Sequence, residues 1–190
     1  MKASQIGQQA FKTLDIRLDT LNKADGGGRA NYVYEEPYAV VRDDFQALAE
    51  DPKSTQDEKA LARLGMLLHE TWVPGAGISK QQVFQAHTGL VGAVNQEYAA
   101  PSGKNVGSIL AQATLSGIET ALSASPGMAF WNKDGLAASF LGAGFEAITE
   151  SSASGKQKSL ARKGLKSLEK FEETGTLPHA EMKQILEYRS

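Results

Sequence analysis

The chain has 190 residues, 41% of them hydrophobic and 22% charged, with a formal net charge of -2 and no cysteine. That length can bury a core unaided as one globular domain or two small ones, and the missing cysteine excludes thiol nucleophiles, disulfides, cysteine-ligated zinc and iron–sulfur clusters. No run of about 18 apolar residues supports a membrane-spanning helix, and Met1-Lys2-Ala3-Ser4-Gln5 lacks the apolar stretch of a cleaved signal peptide, so the expected compartment is the cytoplasm, or export without such a peptide.

From Ile6 to Asn22 the residues Ile6, Ala10, Leu14, Leu18 and Leu21 recur every three or four positions, which predicts an amphipathic helix stopped by Gly26-Gly27-Gly28. Tyr32-Val33-Tyr34 reads as a short extended piece that could form one very short β-bridge. Pro37 then opens a helix carrying Val41, Phe45 and Leu48 on one side, and Pro52 ends it. Thr55-Gln56-Asp57-Glu58 is a capping box, in which the threonine and glutamate side chains satisfy each other's orphan amides. Leu61, Leu64, Leu68 and Trp72 continue a strong helix behind it.

Pro74-Gly75-Ala76-Gly77-Ile78 is a tight connection to a second box-like start at Ser79, with Val83, His87, Leu90, Val91 and Val94 at helical spacing. Residues 101–150 are rich in Gly, Ala and Ser, and small residues let helix backbones approach closely, placing this stretch in the middle of a bundle. Ser151-Ser152-Ala153-Ser154-Gly155 reads as a flexible joint. Residues 156–190 read as a helical hairpin turning around Gly175-Thr176-Leu177. The expected fold is therefore all-α, a multi-helix bundle of helix-loop-helix pairs. A main domain spans 1–150 and the hairpin, which can pack on it, follows the joint at 151–155; no repeat of fixed period is read.

Catalytic signatures are sparse. The chain holds no Gly-x-Ser-x-Gly elbow, no His-Glu-x-x-His helix, no P-loop and no dinucleotide fingerprint, and the pairs Gly103-Lys104 and Gly155-Lys156 read as surface turns. Two weaker constellations offer hydrolase chemistry. One is the acidic group Glu35, Glu36, Asp43 and Asp44, from which two carboxylates across a cleft could act as acid and base. The other joins His69 and His87 with Glu70 and Glu97. His179 reads as ordinary surface polarity, and neither a metal nor a cofactor is expected.

Gly77-Ile78-Ser79 entering Val83-Phe84, and Gly175-Thr176-Leu177 reaching Glu181-Met182, resemble the second half of an EF-hand loop, with a glycine turn and a short hydrophobic residue before the exiting helix. The resemblance implies an EF-like pairing of helices. It does not imply the usual calcium site: the leading ligand positions hold Thr71 and Lys170, and between Asp25 and Glu36 the donor positions hold Gly27 and Arg29.

The late segment is basic, with Lys156, Lys163 and Lys170 at seven-residue spacing, Lys166 between them, and Leu165, Leu168 and Phe171 apolar. Such a helix suits an acidic partner or an anionic membrane surface. Without interleaved aromatic residues, nucleic-acid binding is not expected. The favoured reading is a helical protein–protein interaction module whose contacts fall on Tyr32, Tyr34, Trp72, Trp131, Lys163 and Lys166. Its composition is compatible with a bacterial exported effector or its helper. The alternatives are the hydrolase above and a membrane-surface-active helical protein drawing on Val106 to Ile148.

Overall fold

The structure, a computed structural model, describes residues 1–24, 35–71, 80–124, 136–175 and 179–187. Among these the chain forms eight helices and no strand: α1 (Gln5–Ala24), α2 (Glu35–Glu50), α3 (Gln56–Glu70), α4 (Lys80–Ala99), α5 (Val106–Ala124), α6 (Leu136–Glu150), α7 (Gly155–Thr174) and α8 (His179–Leu186). The protein is an all-α multi-helix bundle. The stretch Tyr32–Tyr34, read as extended, lies outside the described residues.

Helical spacing translates directly into burial. Phe11, Leu14 and Leu18 of α1, Val41, Phe45 and Leu48 of α2, and Leu61, Leu64 and Leu68 of α3 all enter one continuous core. That core runs on through Val106, Leu110 and Ile118 of α5 and Phe140, Leu141, Phe145 and Ile148 of α6. The apolar faces of these last two helices are thus already covered by protein, and no described helix is long and apolar enough to cross a membrane.

The packing order shows a symmetry that the sequence reading missed. Helix α1 packs on α2 and α4, α2 on α3, and α3 on α4; α5 packs on α6 and α8, α6 on α7, and α7 on α8. The halves meet where α4 lies along α5 and α3 along α6. With that topology as guide, a repeat becomes visible: Lys59-Ala60-Leu61-Ala62-Arg63-Leu64-Gly65 returns as Lys158-Ser159-Leu160-Ala161-Arg162-Lys163-Gly164, a shift of 99 residues (59 against 158). Both repeated glycines serve the same contact. A Cβ on Gly65 would strike the ring of Phe45, and one on Gly164 the ring of Phe145, so α3 closes on α2 as α7 closes on α6. The expectation of no fixed-period repeat is therefore corrected: the repeat is one long shift with few identities, invisible to a search for short periods.

The segment 151–155 is a short, bonded turn. Ser151 is buried and its hydroxyl donates to the Ile148 carbonyl at 2.9 Å, while the Ala153 amide donates to the Ser151 hydroxyl at 3.1 Å. The Ser152 amide donates to Asp57 at 3.0 Å, tying the turn to the first half. Ser154 caps α7 through a second capping box with Gln157.

Candidate functional site

Two polar knots fasten the helix starts, and they occupy equivalent places in the two halves. In the first, Glu58 at the third position of α3 is fully buried, and its carboxylate accepts from the Thr55 amide at 2.8 Å, the Ser4 amide at 2.7 Å, the Ser4 hydroxyl at 2.7 Å and the Tyr98 hydroxyl at 3.1 Å. Ser4 in turn accepts from the Gly7 amide at 2.8 Å, so one carboxylate organises the starts of both α1 and α3. Burial alone would raise the Glu58 pKa. The donors from Thr55, Ser4 and Tyr98 outweigh it and hold the carboxyl below its usual value. Burial and the charge of Glu58 push the Tyr98 phenol up, so it stays protonated as a donor.

In the second knot Gln157 stands where Glu58 stands in the first. Its amide nitrogen donates to Asn105 at 3.0 Å and to Ser108 at 3.3 Å, and Asn105 caps α5 by accepting from the Ser108 amide at 2.9 Å. Glycine faces both groups. A Cβ on Gly7 would fall on the Glu58 carboxylate, and one on Gly107 would come within 2.8 Å of the Gln157 oxygen. These knots are saturated with internal partners, which makes them structural rather than reactive.

The histidines do come together. The rings of His69 and His87 stack with centroids 6.4 Å apart and planes 11° apart, and Phe45 lies 5.2 Å from His87. His87 is fully buried, and its Nε2 donates to the Gly65 carbonyl at 2.8 Å, which places the proton on that nitrogen. Burial, helped by neighbouring His69 and opposed by the Gly65 carbonyl, lowers its pKa to about 4. The glutamates grouped with these histidines lie elsewhere: Glu70 approaches Arg42 at 4.0 Å, and Glu97 accepts from the Ser102 amide at 3.0 Å and hydroxyl at 2.6 Å. Ten residues along α4, Glu97 is about 15 Å from His87. No group of three potential metal ligands occurs among the described residues.

Of the other predicted site residues, Asp43, Asp44, Lys163 and Lys166 have described side chains. Asp44 pairs with Arg17 of α1 at 2.6 Å, its pKa raised by burial against the pull of that arginine, whereas Asp43 lies 3.7 Å from Arg42 and is exposed. The side chains of Glu35 and Glu36 lie outside the described ones, as do Tyr32, Tyr34, Trp72 and Trp131. The half-loops that resemble EF-hands also fall largely outside. Gly175 is described, and it closes α7 in the left-handed conformation with φ of 69°, its amide bonded to Phe171. Lys163 and Lys166 are exposed on the outer face of α7, opposite Ala161, Gly164 and Phe171, which are buried.

A concave surface exists where the sequence reading placed none. Between α6 and α7 a groove of about 390 Å³ is lined by Ala138, Ser139, Gly142, Leu165, Leu168 and Phe171, with Glu146, Glu169 and Glu172 around it. The three carboxylates are exposed, and none forms an ion pair with a described residue. Gly142 opens the groove: a Cβ there would meet only Leu168, at 3.8 Å. In the first half the register Phe45 to Phe145 puts Arg42 at the place of Gly142, Gln46 at that of Glu146, and Glu70 at that of Glu169. There the arginine occupies the surface, donating from one terminal nitrogen to Gln46 at 3.2 Å and approaching Glu70 with the other at 4.0 Å. No protein-family model matches this chain, and no curated protein or solved structure gives a significant match.

Proposed function

We propose that the protein is a helical interaction module that receives a segment of another protein in the groove between α6 and α7. The observation that carries this reading is the combination of an apolar floor with carboxylates that no described residue pairs. Apolar side chains supply non-directional affinity, and charges at the rim set partner choice and orientation. The Glu58 and Gln157 knots are internally satisfied and hold helix starts, and Asp44 forms an ion pair with Arg17. The groove, in contrast, offers features that an incoming chain can complete.

Panning a random displayed-peptide library against the intact chain tests the reading, with enriched peptides mapped by backbone amide chemical shifts. The expected result is enrichment of a defined peptide family that shifts Ser139, Gly142, Leu165 and Leu168. Absence of enrichment over a matched carrier protein, or shifts confined to other faces, overturns it.

A further inference from the structure

Building on the interaction-module reading, we infer that the α6–α7 groove recognises an arginine side chain of the partner, because the first half of the same chain holds its own arginine at the equivalent place. The two surfaces share their construction. Phe45 against Gly65 sets the approach of α3 to α2, and Phe145 against Gly164 sets that of α7 to α6. On this common frame, Arg42 directs one terminal nitrogen toward Gln46 and Asp43 of its own helix and the other toward Glu70 of α3, at 4.0 Å.

The second half keeps an acceptor at two of the three places, with Ala143 where Asp43 stands, and lacks the arginine. Glu169 replaces Glu70, Glu146 supplies a full charge in place of the neutral Gln46, and Gly142 removes the side chain that would answer them. Glu172 adds a third carboxylate to the rim. A planar guanidinium suits two separated acceptors better than an ammonium, since its donors project as a fork. Its aliphatic stem can lie along Leu165 and Leu168 while the head reaches the carboxylates. The occupant is therefore a basic segment in which an arginine is flanked by apolar residues.

The test uses the intact chain and three probes: acetyl-Leu-Arg-Leu-amide, the same peptide with lysine, and the same peptide with citrulline, which keeps the arginine shape without its charge. Amide shifts at Gly142, Glu146, Leu168 and Glu169 are followed at low salt. The arginine probe is expected to shift these positions, with citrulline and lysine binding at least about threefold more weakly, in keeping with exposed ion pairs. Gly142→Arg should close the groove from within, as Arg42 does, and abolish the shifts while preserving the circular dichroism and thermal midpoint. Should Gly142→Arg fail to fold, the Glu146→Gln/Glu169→Gln double variant replaces it, and loss of the arginine preference is expected.

Equal binding of the three probes, shifts elsewhere, or undiminished binding by a folded variant overturns the inference. Panned peptides that occupy the groove without any preference for arginine would defeat this inference and leave the module reading standing. Failure of all peptides to enter the groove would defeat both.

Discussion

At the scale of single residues, the second half serves as a control for the first. At the 99-residue shift His69 and His87 fall on Leu168 and Leu186, so a stacked pair, of which His87 is buried, stands where the second half has aliphatic residues. The pH consequence follows from the lowered pKa of His87. Above about pH 6.5 the imidazole is neutral in folded and unfolded chains alike; as pH falls from there toward the folded value of about 4, only the unfolded chain takes up the proton. Stability is lost across that window, by about 3 kcal/mol when it has been crossed. His87→Leu should flatten the dependence of urea midpoint on pH between 6.5 and 4 and leave the midpoint at pH 7 little changed; retention of the slope would place its origin elsewhere. Glu58 acts lower on the scale. Its folded pKa is depressed, so its contribution is present above the ordinary carboxyl value and fades as pH falls through the folded one. Glu58→Gln confronts some of four converging donors with an amide, and chemical denaturation at pH 7 should show a loss of about 1–3 kcal/mol. Gly7→Ala places a methyl on the same carboxylate and should cost about 1–3 kcal/mol by the same assay.

At the scale of elements, caps and small residues decide where the helices start and how closely they pack. The box at Thr55 was legible because a threonine, a glutamate three positions later and an apolar run occur together. Ser154 and Gln157 form the same device, yet Ser151 to Gly155 read as a joint because serine and glycine also compose linkers. The structure supplies what composition could not, namely the bonds from Ser151 and Ser152 to Ile148 and Asp57. Ser154→Ala removes the acceptor for the Gln157 amide and should lower stability by about 1 kcal/mol in thermal or urea unfolding. An unchanged midpoint would mean that the turn is held by its other bonds alone. The basic helix is amphipathic, as its spacing predicts; its lysines are exposed on the outer face, and Leu165, Leu168 and Glu169 of the same helix line the groove. A charge pattern on one helix identifies a solvated face; a groove requires a second helix, and Gly142 on α6 gives no sign of itself until it is set beside Arg42.

At the scale of the whole molecule, periodicity made the all-α class legible, while the two-half plan needed the packing order. The repeat conserves a few contacts, chiefly phenylalanine on glycine and a capping residue beneath a glycine, and lets the rest vary. The halves share one apolar core and are joined by Arg63 to Glu150 at 3.1 Å and Gln56 to the Glu150 carbonyl at 3.2 Å. They should therefore unfold together. Single-tryptophan variants, one keeping Trp72 and the other Trp131, place a fluorescent probe in each half, and urea titrations should give coincident midpoints after correction for each variant's stability by circular dichroism. Separate transitions would show the halves to be independent units. Arg42 occupies its surface, whereas Gly142 leaves the corresponding one open, and we propose that a partner's arginine completes it. The most direct measurement is a structure of the intact chain bound to its best panned peptide. An arginine of that peptide is expected to lie over Leu168 with its guanidinium between Glu146 and Glu169; a peptide seated on another face, or one that fills the groove without a cation there, would overturn the arginine assignment.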